Sequence, residues 1–337
     1  MSSGLKLGIA VLVVIVSAFI SSYFLSMIVG LMLFSTPAGF EFGLGNGLPF
    51  IQFLFLWVIF ALCFVIAWKI RRSFHEVVSR AFTSPFSRLS DNWLFVMPII
   101  ASALWFIVSS IIELQDLINV PTGGLPVPTT DAETFQLYLD LTRAPIIEEL
   151  AFRIVPIGIV VLARLFLAQA SRSTSFQSVR QKLKLFLFSF LFPDKAKGMV
   201  GMGNVESKGL AKGISKDEWF ILLFTSLVFA GAHLISGIGW EYGKVTSVFV
   251  QGFVFGIVFL AYGFQAGILL HWFFNYYFYT FELGNYYLGW NLDAFLPWLD
   301  TSTRWIGGAF TIVLLILLLL RMSTTKKPPN SVAPESY

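Results

Sequence analysis

Long apolar runs are the feature that most constrains how this chain can fold. Eight of them follow one another, and a helix that crosses a bilayer needs about 20 such residues. The runs are continuous rather than alternating, which argues against membrane strands. With 12% charged residues, the chain carries about half the charge of a soluble domain. We predict an all-α, polytopic membrane protein, a bundle of about eight transmembrane helices at residues 5–34, 48–68, 93–114, 144–168, 219–238, 245–264, 266–281 and 305–320.

The loops between these runs alternate in charge. Those after the second, fourth and eighth runs are rich in Lys and Arg, and the loops on the other side are neutral or acidic. The positive-inside rule then predicts that both termini are cytoplasmic, which agrees with an even number of crossings. We expect a multi-pass protein of a prokaryotic plasma membrane, in contact with membrane lipid. Because the basic residues serve orientation, the net charge of +4 does not indicate a nucleic-acid partner.

The chain divides by composition into segments. Residues 1–143 hold three helices and an outer loop, within which 132–141 could form a short surface helix. Residues 144–281 form the expected core, interrupted by a cytoplasmic insertion at 171–217. This insertion starts with a basic and then apolar stretch, typical of an interfacial helix, and continues with a Gly-rich stretch at 198–213 that we expect to be mobile. An outer loop and the last helix occupy 282–322, and 323–337 is predicted to be a disordered tail.

One apolar run contains three ionisable residues. The sequence APIIEELAFRIVP places Glu148, Glu149 and Arg153 at membrane depth, where charges are costly and usually functional. Pro145 suits a first helical turn, which would put both glutamates near the positive end of the helix dipole. The i,i+4 spacing predicts an ion pair between Glu149 and Arg153, so Glu148 is left to face elsewhere. Pro156 is expected to kink the helix.

Two histidines also lie at membrane depth. His233 shares a helical face with Phe229, which we expect to contact the substrate, and His271 shares a face with Asn275. A carboxylate and an imidazole can together activate a water molecule, and a second His with an Asn can donate to an oxyanion. This outline fits acyl hydrolysis without a covalent intermediate. No G-x-S-x-G or H-E-x-x-H motif is present, whereas zinc held by two His and a Glu stays chemically open.

Three short motifs resemble those of one family. EELAFR at 148–153, FAGAH at 229–233 and HWFFN at 271–275 are similar to the EExxxR, FxxxH and HxxxN motifs of the CAAX protease and bacteriocin-processing (Abi) family of intramembrane glutamic endopeptidases. Each motif alone is weak, but the three occur in the family's order. The resemblance covers roughly residues 144–277. The long insertion at 171–217 departs from the family pattern.

The resemblance implies an eight-helix fold and hydrolysis of a peptide bond, without a metal or other cofactor, in a membrane-associated protein or peptide such as a prenylated CAAX protein. Glu148 would activate water with His233, supported by Glu149 and Arg153, while the two motif residues His271 and Asn275 would stabilise the oxyanion. A prenylated CAAX protein would be cleaved from the cytoplasmic side, whereas the charge pattern puts Glu148 in the outer half of the membrane.

Two other functions stay open from the sequence. A non-enzymatic scaffold or immunity protein could share the same fold, although all three motifs are intact here. An ion-coupled transporter could use Glu148 and Glu149 as carriers, although no internal repeat of the kind common in transporters is visible. The need for a prenyl group and the oligomeric state are likewise open.

Overall fold

The computed structural model describes residues 3–45, 48–83, 86–172, 178–237 and 239–324. These residues form helices and connecting loops, with no strand beyond one isolated bridge between Gly123 and Trp240 in the described part. The helices are, in order, α1 (Ser3–Leu33), α2 (Pro37–Gly45), α3 (Leu48–Lys69), α4 (Phe74–Ala81), α5 (Trp93–Leu117), α6 (Asp131–Glu149), α7 (Val155–Arg172), α8 (Val179–Leu191), α9 (Pro193–Met199), α10 (Val205–Lys208), α11 (Leu210–Gly213), α12 (Lys216–Ile235), α13 (Lys244–Tyr262), α14 (Phe264–Trp272), α15 (Phe278–Leu288) and α16 (Phe295–Thr324).

The fold is an all-α polytopic membrane protein. Seven helical spans among the described residues are long and apolar enough to cross a membrane. They correspond to seven of the eight predicted runs. The eighth, predicted at 266–281, lies within α14 and α15, which are helical and mostly buried but are not among those seven. The chain beyond residue 324, where the disordered tail is predicted, lies outside the described residues.

The fourth span is longer than predicted, and its expected start at Ala144 is wrong. Helix α6 begins at Asp131, where the Thr130 hydroxyl accepts a hydrogen bond from the Glu133 N–H at 3.2 Å. The stretch at 132–141 is therefore the first part of this helix rather than a separate surface helix. Pro145 lies in the helix interior, so the two glutamates are far from the N-terminus and its dipole.

Two π-helical segments interrupt the long helices. Residues Leu150–Ile154 join α6 to α7, and Phe273–Tyr277 join α14 to α15. In the first, the Val155 N–H bonds to the Leu150 carbonyl, five residues back. Pro156 has no N–H to offer to the Phe152 carbonyl, so the helix widens here instead of continuing its regular pattern. Both segments coincide with the motif residues.

The core lies between the helices rather than at one end. Helix α14 packs against α3, α6 and α13, and α1 packs against α15. Aromatic rings fill this space; the rings of Phe60 and Trp272, for example, stack at 3.5 Å between centroids. The α14–α15 run is thus enclosed by other helices, which explains why it tolerates more polar residues than a lipid-facing span.

The insertion at 171–217 is tied to the end of the bundle that carries the basic loops. Asp194 of α9 pairs with Arg71 at 3.0 Å and accepts the backbone N–H of Glu206 at 3.1 Å. Lys197 forms a fully buried pair with Glu218 of α12 at 3.1 Å. The Gly-rich stretch predicted to be mobile instead contains α10 and α11, which these contacts hold in place.

The opposite end of the bundle is strongly acidic; we call it the acidic end. Its loops meet at the bridge between Gly123 and Trp240, where the Gly124 N–H donates to the Gly239 carbonyl at 3.2 Å. Three of its charged residues are basic, namely Arg143, Lys244 and Arg304. Its acidic residues are Glu41, Glu113, Asp116, Asp131, Glu133, Asp140, Glu241, Glu282, Asp293 and Asp300.

Candidate active site

The motif residues come together where α6, α12, α13 and α14 meet. Glu148 and Glu149 end α6, and Arg153 lies in the π-helical segment that follows. Helix α12 supplies Phe229 and His233, α14 supplies His271, and the second π-helical segment supplies Asn275. Residues more than 120 positions apart in sequence are thereby placed in direct contact.

Glu149 and Arg153 form the predicted ion pair. Their closest atoms, Oε1 and Nη1, are 3.2 Å apart, and the two side chains are 1% and 0% exposed. The Arg153 guanidinium lies 4.0 Å from the centre of the Phe229 ring, a cation–π contact that helps to offset its burial. A buried pair of this kind fixes both side chains, because separating either charge from its partner is costly.

The imidazole of His271 lies between the two glutamates. Its Nδ1 is 3.0 Å from Glu149 Oε1, and its Nε2 is 3.4 Å from Glu148 Oε2. The two carboxylates do point in different directions, as adjacent helical residues must, but each reaches a different nitrogen of the same ring. The sequence did not predict this contact, since it assigned Glu148 to His233 and grouped His271 with the oxyanion.

Two glycines make this close packing possible. A Cβ atom on Gly267 would lie 2.9 Å from Glu149 Oε2, and one on Gly252 would lie 2.7 Å from Arg153 Nη2. Side chains at these positions would push the buried pair out of place. The sequence analysis did not single out either residue. The available signal for Gly267 was its position four residues before His271, on the same helical face.

His233 stands apart from His271 and is half-buried. Its Nδ1 lies 3.0 Å from the Phe229 carbonyl oxygen. A carbonyl only accepts, so Nδ1 carries the proton and Nε2 keeps a lone pair. The side chain of Phe229 is 2% exposed and packs against Arg153, His233 and His271. Its expected contact with the substrate stays a prediction.

Asn275 is half-buried and lines the same cavity as Glu148. Among the described residues, its side-chain amide has no hydrogen-bond partner. The amide is therefore available to a ligand, and the π-helical segment around it is a local distortion of the type often found at functional sites.

The site lies at the inner end of a cavity of about 1260 Å³ that extends to the acidic end. Its outer wall includes the segment Leu125 to Pro128 and the first turns of α6, and its inner wall includes Glu148, His233 and His271. Glu148 is 28% exposed, whereas His271 is 4% exposed, so Glu148 is the more accessible of the two. The volume exceeds that of typical small-molecule pockets, and it can hold a peptide segment.

Within the described residues, no group of three or more His, Cys, Asp or Glu side chains is placed to hold a metal ion. The groups that contact one another are instead a carboxylate pair, an imidazole and a guanidinium.

Comparison with known proteins agrees with the motifs. Residues 130–277 match the family model described as type II CAAX prenyl endopeptidase, Rce1-like. The match starts at the N-cap of α6 and ends with the second π-helical segment, so it includes every motif residue. No curated protein and no solved structure matches the chain.

Proposed function

We propose that the chain, whose residues 130–277 match the Rce1-like model of type II CAAX prenyl endopeptidases, is an intramembrane endopeptidase of the CAAX protease and bacteriocin-processing family. In this proposal Glu148 activates the attacking water. The observation that carries the proposal is the contact of His271 with both glutamates at the inner end of an open cavity. The proposed substrate is a membrane-associated protein or peptide.

Glu149 and Arg153 act as support rather than as reacting groups. Both are closed off from the cavity by burial, and Glu149 uses its Oε1 to accept from His271 Nδ1. This hydrogen bond fixes the orientation of the imidazole, in the way that a buried carboxylate orients a catalytic histidine. His271 Nε2 is thereby held 3.4 Å from Glu148 Oε2, so the same ring faces both carboxylates.

Glu148 is the group suited to take a proton from water. Its side chain is partly exposed to the cavity, and its Oε2 is within reach of His271. The water oxygen attacks the carbonyl carbon of the substrate while its proton passes to Glu148. Glu148 then gives that proton to the leaving nitrogen as the C–N bond breaks, which yields a carboxylic acid and an amine. His233, with its Nε2 lone pair, is a second acceptor on the same cavity wall.

Asn275 is suited to stabilise the negative oxygen of the tetrahedral intermediate. An amide N–H donor that is already positioned at the cavity wall needs no rearrangement when the charge develops, and one such donor is typically worth about 10²-fold or more in rate. In this scheme the Nδ1–H of His271 donates its hydrogen bond to Glu149, so Asn275 rather than His271 is the principal donor to the oxyanion.

The test compares wild type with Glu148→Gln, purified in detergent, on a prenylated CAAX peptide and its unmodified counterpart. We expect no measurable cleavage by Glu148→Gln, with its thermal unfolding unchanged. Glu41→Gln, an exposed residue of the acidic end outside the cavity lining, is the matched control and should cleave normally. Full activity of Glu148→Gln would refute the assignment. Cleavage of neither peptide by wild type would favour a non-enzymatic or transport role.

A further inference from the structure

Helix α8 carries an apolar stripe that the bundle does not cover. Four apolar side chains, spaced at i, i+4, i+7 and i+8, lie on one face of this helix. They are Val179, Leu183, Phe186 and Leu187, and they are 45–81% exposed. The helix packs on the bundle through another face, which carries the buried Leu185. An exposed apolar stripe on a helix beside membrane spans is typical of contact with lipid.

Basic residues flank this stripe on both sides. With about 100° of rotation per residue, Arg180 and Lys184 border it on one side and Lys182 on the other. All three side chains are exposed, and no described Asp or Glu side chain lies within 4.0 Å of their charged groups. An apolar stripe between unpaired cations is the pattern of a helix that lies among the headgroups of an anionic leaflet.

Helix α8 is inclined, with its basic start level with the ends of the neighbouring spans. Leu185 belongs to the same buried cluster as Leu165 of α7, which follows Arg164, and Arg164 pairs with the first turn of α12. Five residues after Leu185, Phe190 meets Gly158, where a Cβ would lie 2.5 Å from the Phe190 ring. Gly158 precedes Leu165 by seven residues, which corresponds to about 10 Å of helix. The end of α8 therefore lies deeper in the bilayer than its basic start.

Two lysines of α8 and α9 lie over neighbouring aromatic rings. The ammonium group of Lys184 lies 5.3 Å from the centre of the Phe188 ring, and that of Lys195 lies 5.7 Å from the centre of the Phe192 ring. The two rings pack edge to face, with 5.4 Å between their centres. These cation–π contacts orient both side chains but give them no counter-ion, and no described carboxylate lies within 4.0 Å of either ammonium group.

The two ammonium groups are close enough to repel each other. Burial lowers the pKa of Lys195, and Glu206 opposes this shift. The charges of Arg71 and Lys184 lower the same pKa further. Glu206 is also shared with Arg71, whose Nε lies 3.9 Å from its carboxylate, so it does not neutralise Lys195 alone. An anion placed between Lys184 and Lys195 would remove their repulsion and accept charge-assisted hydrogen bonds from both.

We propose that Lys184 and Lys195 bind the phosphate of an anionic phospholipid whose acyl chains lie along the apolar stripe of α8. This site faces the leaflet at the basic end, whereas the cavity extends to the acidic end. The proposal goes beyond the proposed protease function and does not depend on it. Free phosphate offers the same charge but has no acyl chains to cover the stripe, and an acidic peptide is the alternative occupant, so the experiment includes both.

The experiment titrates the full-length protein, in a neutral detergent, with dioctanoyl phosphatidylglycerol and with dioctanoyl phosphatidylcholine, and follows the rise in Tm. Wild type should bind phosphatidylglycerol at least about tenfold more tightly, because each lysine adds to the attraction for a net negative headgroup. The double variant Lys184→Gln/Lys195→Gln should lose this preference, and Lys184→Arg/Lys195→Arg should keep most of it. The matched control Lys208→Gln/Lys212→Gln, which removes two exposed lysines of the same insertion, should keep all of it.

The apolar stripe is tested separately with Leu183→Ser/Leu187→Ser, which should weaken the binding of both lipids by a similar factor and leave the preference unchanged. Without lipid, Lys184→Gln alone should have the Tm of wild type, because the side chain is exposed, and it should still reduce the preference. Equal affinity of wild type for the two lipids, or a preference that survives the loss of both lysines, overturns the proposal. Inorganic phosphate or a peptide of Asp and Glu that binds as tightly as phosphatidylglycerol overturns the assignment to a lipid.

Discussion

The two adjacent glutamates should respond very differently to the same small change. Glu148→Gln and Glu149→Gln each replace a carboxylate oxygen by an NH₂ group without altering shape. Glu149 is 1% exposed, and its partner Arg153 is 0% exposed, so Glu149→Gln leaves a buried guanidinium without its counter-charge. Breaking such a pair costs about 3–5 kcal/mol. Glu148 is 28% exposed and its contact with His271 is long, so the stability cost of Glu148→Gln is at most about 1 kcal/mol.

These costs can be read from thermal unfolding in detergent, followed by the fluorescence of the chain's 10 tryptophans. For Glu149→Gln we expect a fall in Tm on the order of 10 °C, and for Glu148→Gln almost none. Adding Arg153→Met to Glu149→Gln should recover much of the loss, because a neutral pair of similar volume removes the stranded charge. The non-additive part of this cycle measures the interaction itself.

Glu218→Gln is the control for loss of stability alone. It breaks a second buried ion pair, that of Glu218 with Lys197, which lies at the basic end away from the cavity. We expect it to lower Tm about as much as Glu149→Gln does, yet to leave cleavage normal at temperatures well below its Tm. Glu149→Gln should lose cleavage under the same conditions, since His271 loses the charged carboxylate that orients it. Equal stability of Glu148→Gln and Glu149→Gln, or equal activity of Glu149→Gln and Glu218→Gln, would refute this division of roles.

Three further outcomes follow from the structure. Gly267→Ala places a Cβ 2.9 Å from Glu149 Oε2, which must shift by about 0.5 Å. Cleavage should fall about tenfold, and Tm should fall by less than it does in Glu149→Gln because the charged pair is displaced but not broken; kinetic and unfolding measurements on one preparation check both. Val127 is 87% exposed at the acidic end, and Val127→Cys should react with an impermeant maleimide added outside intact cells. Val179 is 81% exposed in the insertion, and Val179→Cys should react only after permeabilisation, while the buried native Cys63 should not react in either case. A chelator in the cleavage assay should leave the rate unchanged, and a loss that added zinc reverses would instead support the zinc-dependent mechanism.

Much of the fold was predictable because the membrane imposes one requirement on every span. Apolar runs that satisfy their own backbone hydrogen bonds must be helical, so seven of the eight predicted runs were found as membrane-length apolar helices. The ion pair between Glu149 and Arg153 was predictable for a similar reason, since i,i+4 spacing is local. The predicted start of the fourth span was wrong, because the first turns of α6 are polar and line a cavity instead of facing lipid. Thr130 and Glu133, a capping signature, marked the true start.

The tertiary contacts of the site could not be predicted from the sequence. Which nitrogen of His271 meets which glutamate depends on how α14 packs against α6, and local spacing carries no information about that. The π-helical segments shift residues relative to the regular 3.6-residue period, so faces computed from that period are displaced around Glu149 and Asn275.

The end at which the cavity opens bears on the side of the membrane from which the substrate enters. The cavity extends to the acidic end, and the positive-inside rule assigns the basic loops at the other end to the cytoplasm. On this predicted orientation, a substrate that enters by the open route comes from the outer surface. A prenylated protein in the cytoplasmic leaflet would have to thread past the α8–α11 insertion, which the pairs of Asp194 with Arg71 and of Lys197 with Glu218 hold against the bundle. We therefore predict a substrate anchored in, or released at, the outer leaflet. The maleimide experiment on Val127→Cys tests this prediction, because labelling of that cysteine from the cytoplasmic side alone would reverse the assignment.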